Sequence, residues 1–321
     1  MRNEITCAFY NVENLFDTFD EPGKIDEDYT PKGDLKWDQF RYQRKLDRIA
    51  DVIFGMAKYA QLPAIIGLCE VENRKVLEDL INHPALKDVG YQIVHEETRD
   101  VRGIDVALLY QPEVFTYLKH EQINFEVLTH SEFHARDILH IVGELPDGAE
   151  LNVFVNHWPS RRAGKHDTEF KRVAAGTALR LAINKVQDKD EEALILVMGD
   201  FNDEPHDKSI RSALHAQENA TNDKVLVNLG WPAVKDDSGT SEHDGDWFMF
   251  DQFMVSGNML RRGKWLVRHS EMLMYKEDDV IFKGSHRHEV KPNRTYVGDN
   301  YKGGYSDHLA IYLHLVSHPP R

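Results

Sequence analysis

The chain has 321 residues, 41% hydrophobic and 29% charged, with a formal net charge of −15 at pH 7. That length supports a full core, in one large or two small domains, and no run approaches the eighteen apolar residues of a membrane-spanning helix. The acidic balance argues against holding nucleic acid by bulk electrostatics, but not against phosphate chemistry at an acidic site whose sign a metal ion reverses.

Met1-Arg2-Asn3-Glu4 leads straight into a strand-like run without the apolar core of a signal peptide. The expectation is a cytoplasmic protein, or a secreted or periplasmic one if a leader precedes it. Ile5 to Tyr10 is β-rich and ends in Asn11-Val12-Glu13-Asn14-Leu15-Phe16-Asp17, where Asn11 and Glu13 share strand parity. A long acidic loop through Pro22, Pro31 and Gly33 follows. Trp37 to Tyr59 carries Phe40, Leu46, Ile49, Ala50 and Ile53 near helical spacing and reads as a helix, with Pro63 marking its exit. Ala64 to Cys69 is a buried strand delivering Glu70-Val71-Glu72-Asn73, and Val76 to Ile81 resumes a helix. Cys7 and Cys69 both fall in apolar runs and read as buried free thiols.

Tyr91 to His95 and Val106 to Tyr110 are strands, the second opened by Gly103-Ile104-Asp105. Val114 to Leu128 reads as one or two more. Arg136 leads into Ile138 to Leu145, which forms a hairpin with Leu151 to Val155 about Pro146-Asp147-Gly148. The hairpin delivers Asn156-His157-Trp158-Pro159-Ser160-Arg161-Arg162, a basic loop in an acidic chain and so a candidate phosphate contact. Lys171 to Val186 reads as a helix with Val173, Ala174, Ala178, Leu181 and Ile183 inward. Ala193 to Met198 is a buried strand stopping at Gly199-Asp200-Phe201-Asn202-Asp203-Glu204-Pro205, where Asp200 and Asn202 leave on one face.

Asp207 to Gln217 reads as helical and Asn219 to Ser241 as loop. Trp247 to Ser256 is an aromatic strand carrying one charge, Asp251, which needs a partner or a purpose. Met259 to His288 alternates strand and polar stretches. Ser306-Asp307-His308 precedes a last strand, Leu309 to Leu315. Many strands, helices between them and polar groups at strand ends favour two sheets with helices outside.

Gly199-Asp200-Phe201-Asn202, Ser306-Asp307-His308, Glu70 after its apolar strand, Tyr10 to Phe16 and Asn156 to Arg161 occur in the order of one superfamily. The chain resembles the endonuclease/exonuclease/phosphatase proteins, the deoxyribonuclease I-like group, and most of all a bacterial nuclease-like branch. The resemblance runs from near residue 5 to near residue 315. It implies an α/β fold, a four-layered sandwich of two packed sheets with helices on both outer faces, as a single domain over 1–321.

The same resemblance implies divalent-metal-dependent phosphoester hydrolysis. Glu70 matches the principal metal ligand, and Asn11, Glu13 and Asp307 match positions near that ion or a second one. Mg²⁺ is the expected ion, with Mn²⁺ or Ca²⁺ as alternatives, since such hard cations take oxygen ligands. His308 and Asp251 match the family's His–Asp pair, and Asp200 the carboxylate that handles the attacking water, with Asn202 beside it. Whether Asp200 or His308 is the general base stays open. His157 matches a second imidazole that contacts phosphate, and Asp105 falls where a carboxylate could orient it. Arg136, Arg161 and Asn156 are candidate phosphate contacts. Asp203 and Glu204 read as turn acids, His286 and His288 as a solvated polar loop, and Trp158, Trp231 and Trp247 as packing residues. The expected substrate is DNA or RNA; a phosphatase or phospholipase C-like enzyme on small phosphoesters, and an inactive binding module, are the alternatives. No obligate protein partner is implied.

Overall fold

The computed structural model describes residues 3–59, 61–125, 136–284 and 290–317; His286, His288 and the end of the predicted run to Leu128 lie outside them. The first half contributes β1 (Glu4–Leu15), α1 (Gln39–Gly55), β2 (Ile65–Val71), α2 (Arg74–Ile81), β3 (Gln92–His95), β4 (Asp105–Tyr110), β5 (Thr116–Ile123), β6 (Ile138–Glu144) and β7 (Glu150–His157). Then come α3 (Lys165–Lys189), β8 (Leu194–Asp200), β9 (Ala216–Gln217), β10 (Leu226–Asn228), α4 (Trp231–Lys235), β11 (Ser241–His243), β12 (Asp246–Phe248), β13 (Asp251–Ser256) and α5 (Asn258–Arg261). The last segment holds β14 (Trp265–Val267), β15 (Leu273–Met274), β16 (Ile281–Lys283), β17 (Val290–Pro292), β18 (Tyr296–Val297), β19 (Asn300–Tyr301) and β20 (Ile311–Ser317).

Two mixed sheets carry the fold. One runs β14-β20-β1-β2-β4-β3, with β15 also on β20, and the other runs β5-β6-β7-β8-β13-β10-β9. The strand period of two sorts each apolar run onto two faces. Cys7, Phe9, Ile65 and Leu108 of the first sheet meet Ile141, Val153, Leu196 and Phe253 of the second in the central core. The alternate residues Ala8, Tyr10, Ile66 and Leu68 pack outward against Leu46 and Ile49 of α1 and Val76 and Leu80 of α2. On the far side Phe154, Ile195 and Val197 meet Ala175, Leu179 and Ile183 of α3. The result is helix, sheet, sheet, helix: the four layers expected.

Each sheet has one central parallel pair. β1 runs parallel to β2, flanked by antiparallel β20 and β4, and β7 runs parallel to β8, flanked by antiparallel β6 and β13. The C-terminal parts of β1, β2, β7 and β8 reach one edge: Asn11 of β1 bonds Asp200 at the end of β8, and His157 at the end of β7 lies 3.7 Å from Glu70 of β2.

Several local expectations change. Phe40 is exposed, and so is Leu181; Ile183 is buried as expected and Ala174 and Ala178 pack partly against the core, while the rest of the buried face of α3 runs through Thr168, Arg172, Ala175 and Leu179. A buried arginine on that face is invisible to an apolar-period count. The stretch read as helix over Asp207 to Gln217 is a single wide turn, Ser209–Ala213, followed by β9. Asn219 to Ser241 contains β10 and α4. The aromatic strand is two strands, β12 and β13, broken at Met249 and Phe250.

Candidate active site

The edge where the parallel strands end collects the predicted polar groups. Asp200 closes β8, facing His157 of β7 and Asp251 of β13 in register. Gly199 lets these strands close up: a Cβ there would lie 2.5 Å from the Asn156 carbonyl oxygen. His308 stands just ahead of β20 and bridges to Ser241 of the β11–β12 ribbon.

His308 Nδ1 lies 2.6 Å from Asp251 Oδ2. The same Asp251 oxygen accepts the Thr240 hydroxyl, while its other oxygen is buried without a partner among the described residues. On the opposite side of the ring, Nε2 is 4.0 Å from Asp200 Oδ2. Asp200 is held by two donors, Asn11 Nδ2 at 3.0 Å and the Asn202 backbone N–H at 2.9 Å. The Asn202 amide in turn donates to the Trp158 carbonyl at 3.0 Å. His157 Nε2 stands 3.7 Å from Asp200 Oδ2 and 3.7 Å from Glu70 Oε1. The Arg136 guanidinium rests against the His157 ring and is fixed through Nε to Asp100 at 2.7 Å.

Glu70 accepts the Asn14 N–H at 2.9 Å. Arg102 donates to the Asn14 side-chain oxygen at 3.2 Å, which brings a second arginine to this edge. Sequence reasoning missed Arg102, Asp100, Asn14 and Thr240. The one local signal for Arg102 was Gly103, whose φ of +65° marks the tight turn that presents it.

Backbone strain concentrates here. Glu13, Asn14, Glu70 and Asn202 have φ of 50°, 54°, 62° and 49°. A non-glycine residue held there costs about 1–3 kcal/mol and persists where the surroundings over-determine it, commonly at functional sites.

The electrostatics split the titratable groups. Burial pushes the Asp200 carboxyl up to about 7, with His308 opposing and Asp251 and Glu70 reinforcing the rise. Burial works against charge on His308, but Asp251 and Asp200 outweigh it and raise the imidazole well above its ordinary value. His157 goes the other way, lowered first by burial and then by Arg136, Arg102 and His308. One imidazole is charged and the other neutral, a few ångströms from a carboxylate poised near neutrality. Groups pushed apart in this way suit acid and base roles.

Other predicted residues are engaged differently. Glu13 accepts the Thr295 N–H at 2.6 Å and lies 3.8 Å from the buried Lys45 ammonium. Burial and then Asp307 raise its carboxyl to about 7, so Asp307 and Glu13 are close neighbours. Asp105 does not orient His157: its carboxylate takes the Thr98 N–H at 3.0 Å and the Thr98 hydroxyl at 2.6 Å and faces His95 at 3.5 Å. Asn156 is fully buried, donating to Phe154 and Met198 carbonyls and accepting from Trp158 Nε1, so it has no face for phosphate.

Arg161 donates to the Asn202 carbonyl at 2.6 Å and to Asp203 at 2.7 Å, and pairs with Asp207 at 2.5 Å. It clips the loop that carries Asn202 rather than reaching for phosphate. Asp203 is no solvated turn acid. It is buried, forms an ion pair with Arg172 at 2.8 Å and accepts the Ser209 hydroxyl.

The donor chemistry of this edge suits a hard divalent cation: the partly buried Glu70 carboxylate stands near the end of β2, and the Asp307 carboxylate just ahead of β20.

The family model described as "Endonuclease/Exonuclease/phosphatase family" matches residues 6–317. Among solved structures, Danio rerio TDP2 complexed with a single-strand DNA product aligns at 15% identity and TM-score 0.56, over 98% of this chain and 100% of that one. The human Nocturnin catalytic domain with bound sulfate aligns at 16% identity and TM-score 0.57, over 99% and 96%. A mannosyl-6-phosphatase of Bacteroides thetaiotaomicron aligns at 18% identity and TM-score 0.56, over 97% and 99%. These likenesses establish the deoxyribonuclease I-like fold. None of the curated protein sequences matches the chain. With the family model spanning nearly its whole length, the chain belongs to the endonuclease/exonuclease/phosphatase family, whose members are metal-dependent phosphoesterases.

Proposed function

We propose that this enzyme is a Mg²⁺-dependent phosphodiesterase that cleaves nucleic acid, single-stranded DNA or RNA in preference to long duplex. The observation that carries the hydrolytic reading is the Asp251–His308 dyad, facing Asp200 across 4.0 Å. Glu70, with Asp307 and Asn11, would hold the cation, which when bound offsets charge on the phosphoryl oxygens.

The side chains then divide the work. Asp200, with a carboxyl near 7, accepts the proton of the attacking water, and the Asn202 N–H and Asn11 amide keep its oxygens aimed. Charged His308 donates toward the oxygen on which charge builds, held in one tautomer and orientation by Asp251. Neutral His157 with Arg136 and Arg102 binds the remaining phosphate oxygens. Water oxygen joins phosphorus as the ester oxygen departs. Removing one such stabiliser typically costs about 3–4 kcal/mol, or roughly 10²–10³ in rate.

The nucleic-acid assignment rests on a half-buried aromatic pair beside the dyad. Phe248 and Phe250 stack with ring centroids 5.2 Å apart, and Arg161 lies 4.7 Å from the Phe250 ring. Aromatic and guanidinium faces are the usual platform for unpaired bases. The net charge of −15 opposes a long polyanion, which favours short or single-stranded substrates.

A second reading has its own support: Arg102 and Arg136 flank His157, and paired arginines suit a terminal phosphate dianion on a small molecule. A hydrolysis screen with Mg²⁺, Mn²⁺ or Ca²⁺ separates the two, using single-stranded DNA, RNA, plasmid DNA, sugar phosphates, inositol phosphates and sphingomyelin. Mg²⁺-dependent cleavage of single-stranded DNA or RNA is expected. Release of phosphate from a sugar or inositol phosphate with every nucleic acid intact would transfer the assignment to the second reading.

A further inference from the structure

One buried set of ligand atoms at this edge has a chemistry that hydrolysis leaves unused. The Cys69 thiol, the His157 imidazole and the Asp200 carboxylate offer ligand atoms within 4.8 Å of one another, and all three residues are buried. Cys69 reaches this position because it sits opposite Asn11 in the β1–β2 register, one residue before Glu70. His157 Nε2 and Asp200 Oδ2 are 3.7 Å apart, close to the ~3.4 Å that separates nitrogen and oxygen ligands on a tetrahedral zinc ion. Glu70 Oε1 also lies 3.7 Å from Nε2, at the margin of this three-ligand set. Thiolate, imidazole and carboxylate together are a soft-to-borderline donor set that selects Zn²⁺ over Mg²⁺.

We propose that Cys69, His157 and Asp200 form a Zn²⁺ site that switches the enzyme off. As the sulfur–zinc bond forms, the thiol proton leaves to solvent, and no electron changes hands. The ion takes the Asp200 oxygen that serves the attacking water and the His157 ring that serves the phosphate, and displaces the Arg136 guanidinium from that ring. Zn²⁺ and substrate therefore exclude each other. As regulation of the hydrolytic centre, this rests on the reading given under Proposed function; the metal site itself does not.

The test uses the purified full-length protein and two readouts. Co²⁺, added alone as a spectroscopic probe of the zinc site, is expected to give a thiolate-to-metal charge-transfer band in the near ultraviolet, which Zn²⁺ bleaches. The band should vanish in both Cys69→Ala and Cys69→Ser, each first checked for a wild-type melting transition, so that one misfolded variant leaves the other informative. In the second readout, Zn²⁺ inhibits Mg²⁺-supported hydrolysis of an activated phosphodiester. Loss of the Cys69 thiolate should raise the half-inhibitory Zn²⁺ concentration by at least about tenfold. Absence of the band in wild-type protein, its survival in both variants, or unchanged Zn²⁺ sensitivity would overturn the proposal. A normal band in a protein that hydrolyses no phosphoester would sink the hydrolytic reading and leave the zinc site standing.

Discussion

Asp251 gives one oxygen to His308 Nδ1 at 2.6 Å and has its other oxygen sealed in the interior, without a partner among the described residues. A buried carboxylate so arranged has one main electrostatic customer, the imidazolium, and Thr240 fixes the angle at which they meet. Asp251→Asn keeps the shape but presents an amide to Nδ1, so the ring loses both its charge partner and its preferred tautomer. The expected loss in kcat is on the order of 10³–10⁴, as for other carboxylate–histidine units. His308→Gln should cost a similar factor. Because the two act as one unit, the double variant should be no slower than the worse single one. Multiplicative losses in steady-state kinetics would mean the pair does not work as a unit.

Arg161 and Arg172 converge on Asp203, from the 156–162 loop and from α3. Arg172 and Asp203 are both essentially sealed from solvent, with side-chain exposures of 0% and 2%. Removing one partner of such a pair strands a buried charge and costs about 3–5 kcal/mol. Arg172→Met should therefore lower the urea midpoint sharply. Arg161→Met should lower it by less, since Asp203 keeps Arg172 and Asp207 keeps Lys165 at 2.7 Å. A phosphate-binding Arg161 would behave oppositely, raising KM at an unchanged midpoint, and that result would reverse the structural assignment.

This pair also shows what the sequence could and could not yield. Asp200, Asp251, Glu70 and His157 were legible because each interrupts or ends a strongly apolar strand, where an unpaired charge is costly and so demands a reason. Arg172 and Asp203 are as buried as those residues, but they lie on a helix and in a turn, where charge is ordinary. Nothing local distinguishes a solvated arginine from one reaching across to another element. Phe40 and Leu181 failed for the converse reason: α1 and α3 expose some large apolar side chains, and periodicity alone does not say which stripe faces the sheet. Asp105 misled because its strand-end position matched the pattern while its hydrogen bonds go to Thr98 and its other oxygen faces His95 at 3.5 Å.

Glu72 gives a pH-dependent prediction away from the chemistry. It is buried at the end of β2 and accepts the Asp17 N–H at 2.6 Å. Burial raises its carboxyl to about 8, and Asp17, Asp26 and Glu21 add to the rise. The folded state thus binds a proton that the unfolded chain, titrating near 4.5, has already released. Stability associated with this group is present below pH 4.5 and is lost as pH rises toward 8. Glu72→Gln keeps the acceptor without the charge. The variant should match wild type in melting temperature at pH 5 and exceed it at pH 8.5, by roughly 2–4 °C for each kcal/mol recovered. Equal melting temperatures at both pH values would show that Glu72 is not the buried proton.

Glu70 should reveal the cation without any assay of turnover. Its backbone sits at φ +62° and its carboxylate is tied to the Asn14 N–H, leaving Oε1 3.7 Å from His157, beyond hydrogen-bonding distance. An oxygen held at a strained position with so little bonding in the protein is placed for a ligand. A ligand that binds only the native state stabilises it by RT ln(1 + [L]/Kd), about 2.7 kcal/mol at a hundredfold excess over Kd. Mg²⁺ should therefore raise the melting temperature of the wild-type protein in a saturable way, and chelation should reverse the rise. Glu70→Gln, which keeps the Asn14 bond but gives up the anionic oxygen, should melt close to metal-free wild type and lose most of the Mg²⁺ shift. A full Mg²⁺ shift in that variant would move the cation off Glu70, and the carboxylates to test next would be Asp307 and Glu13.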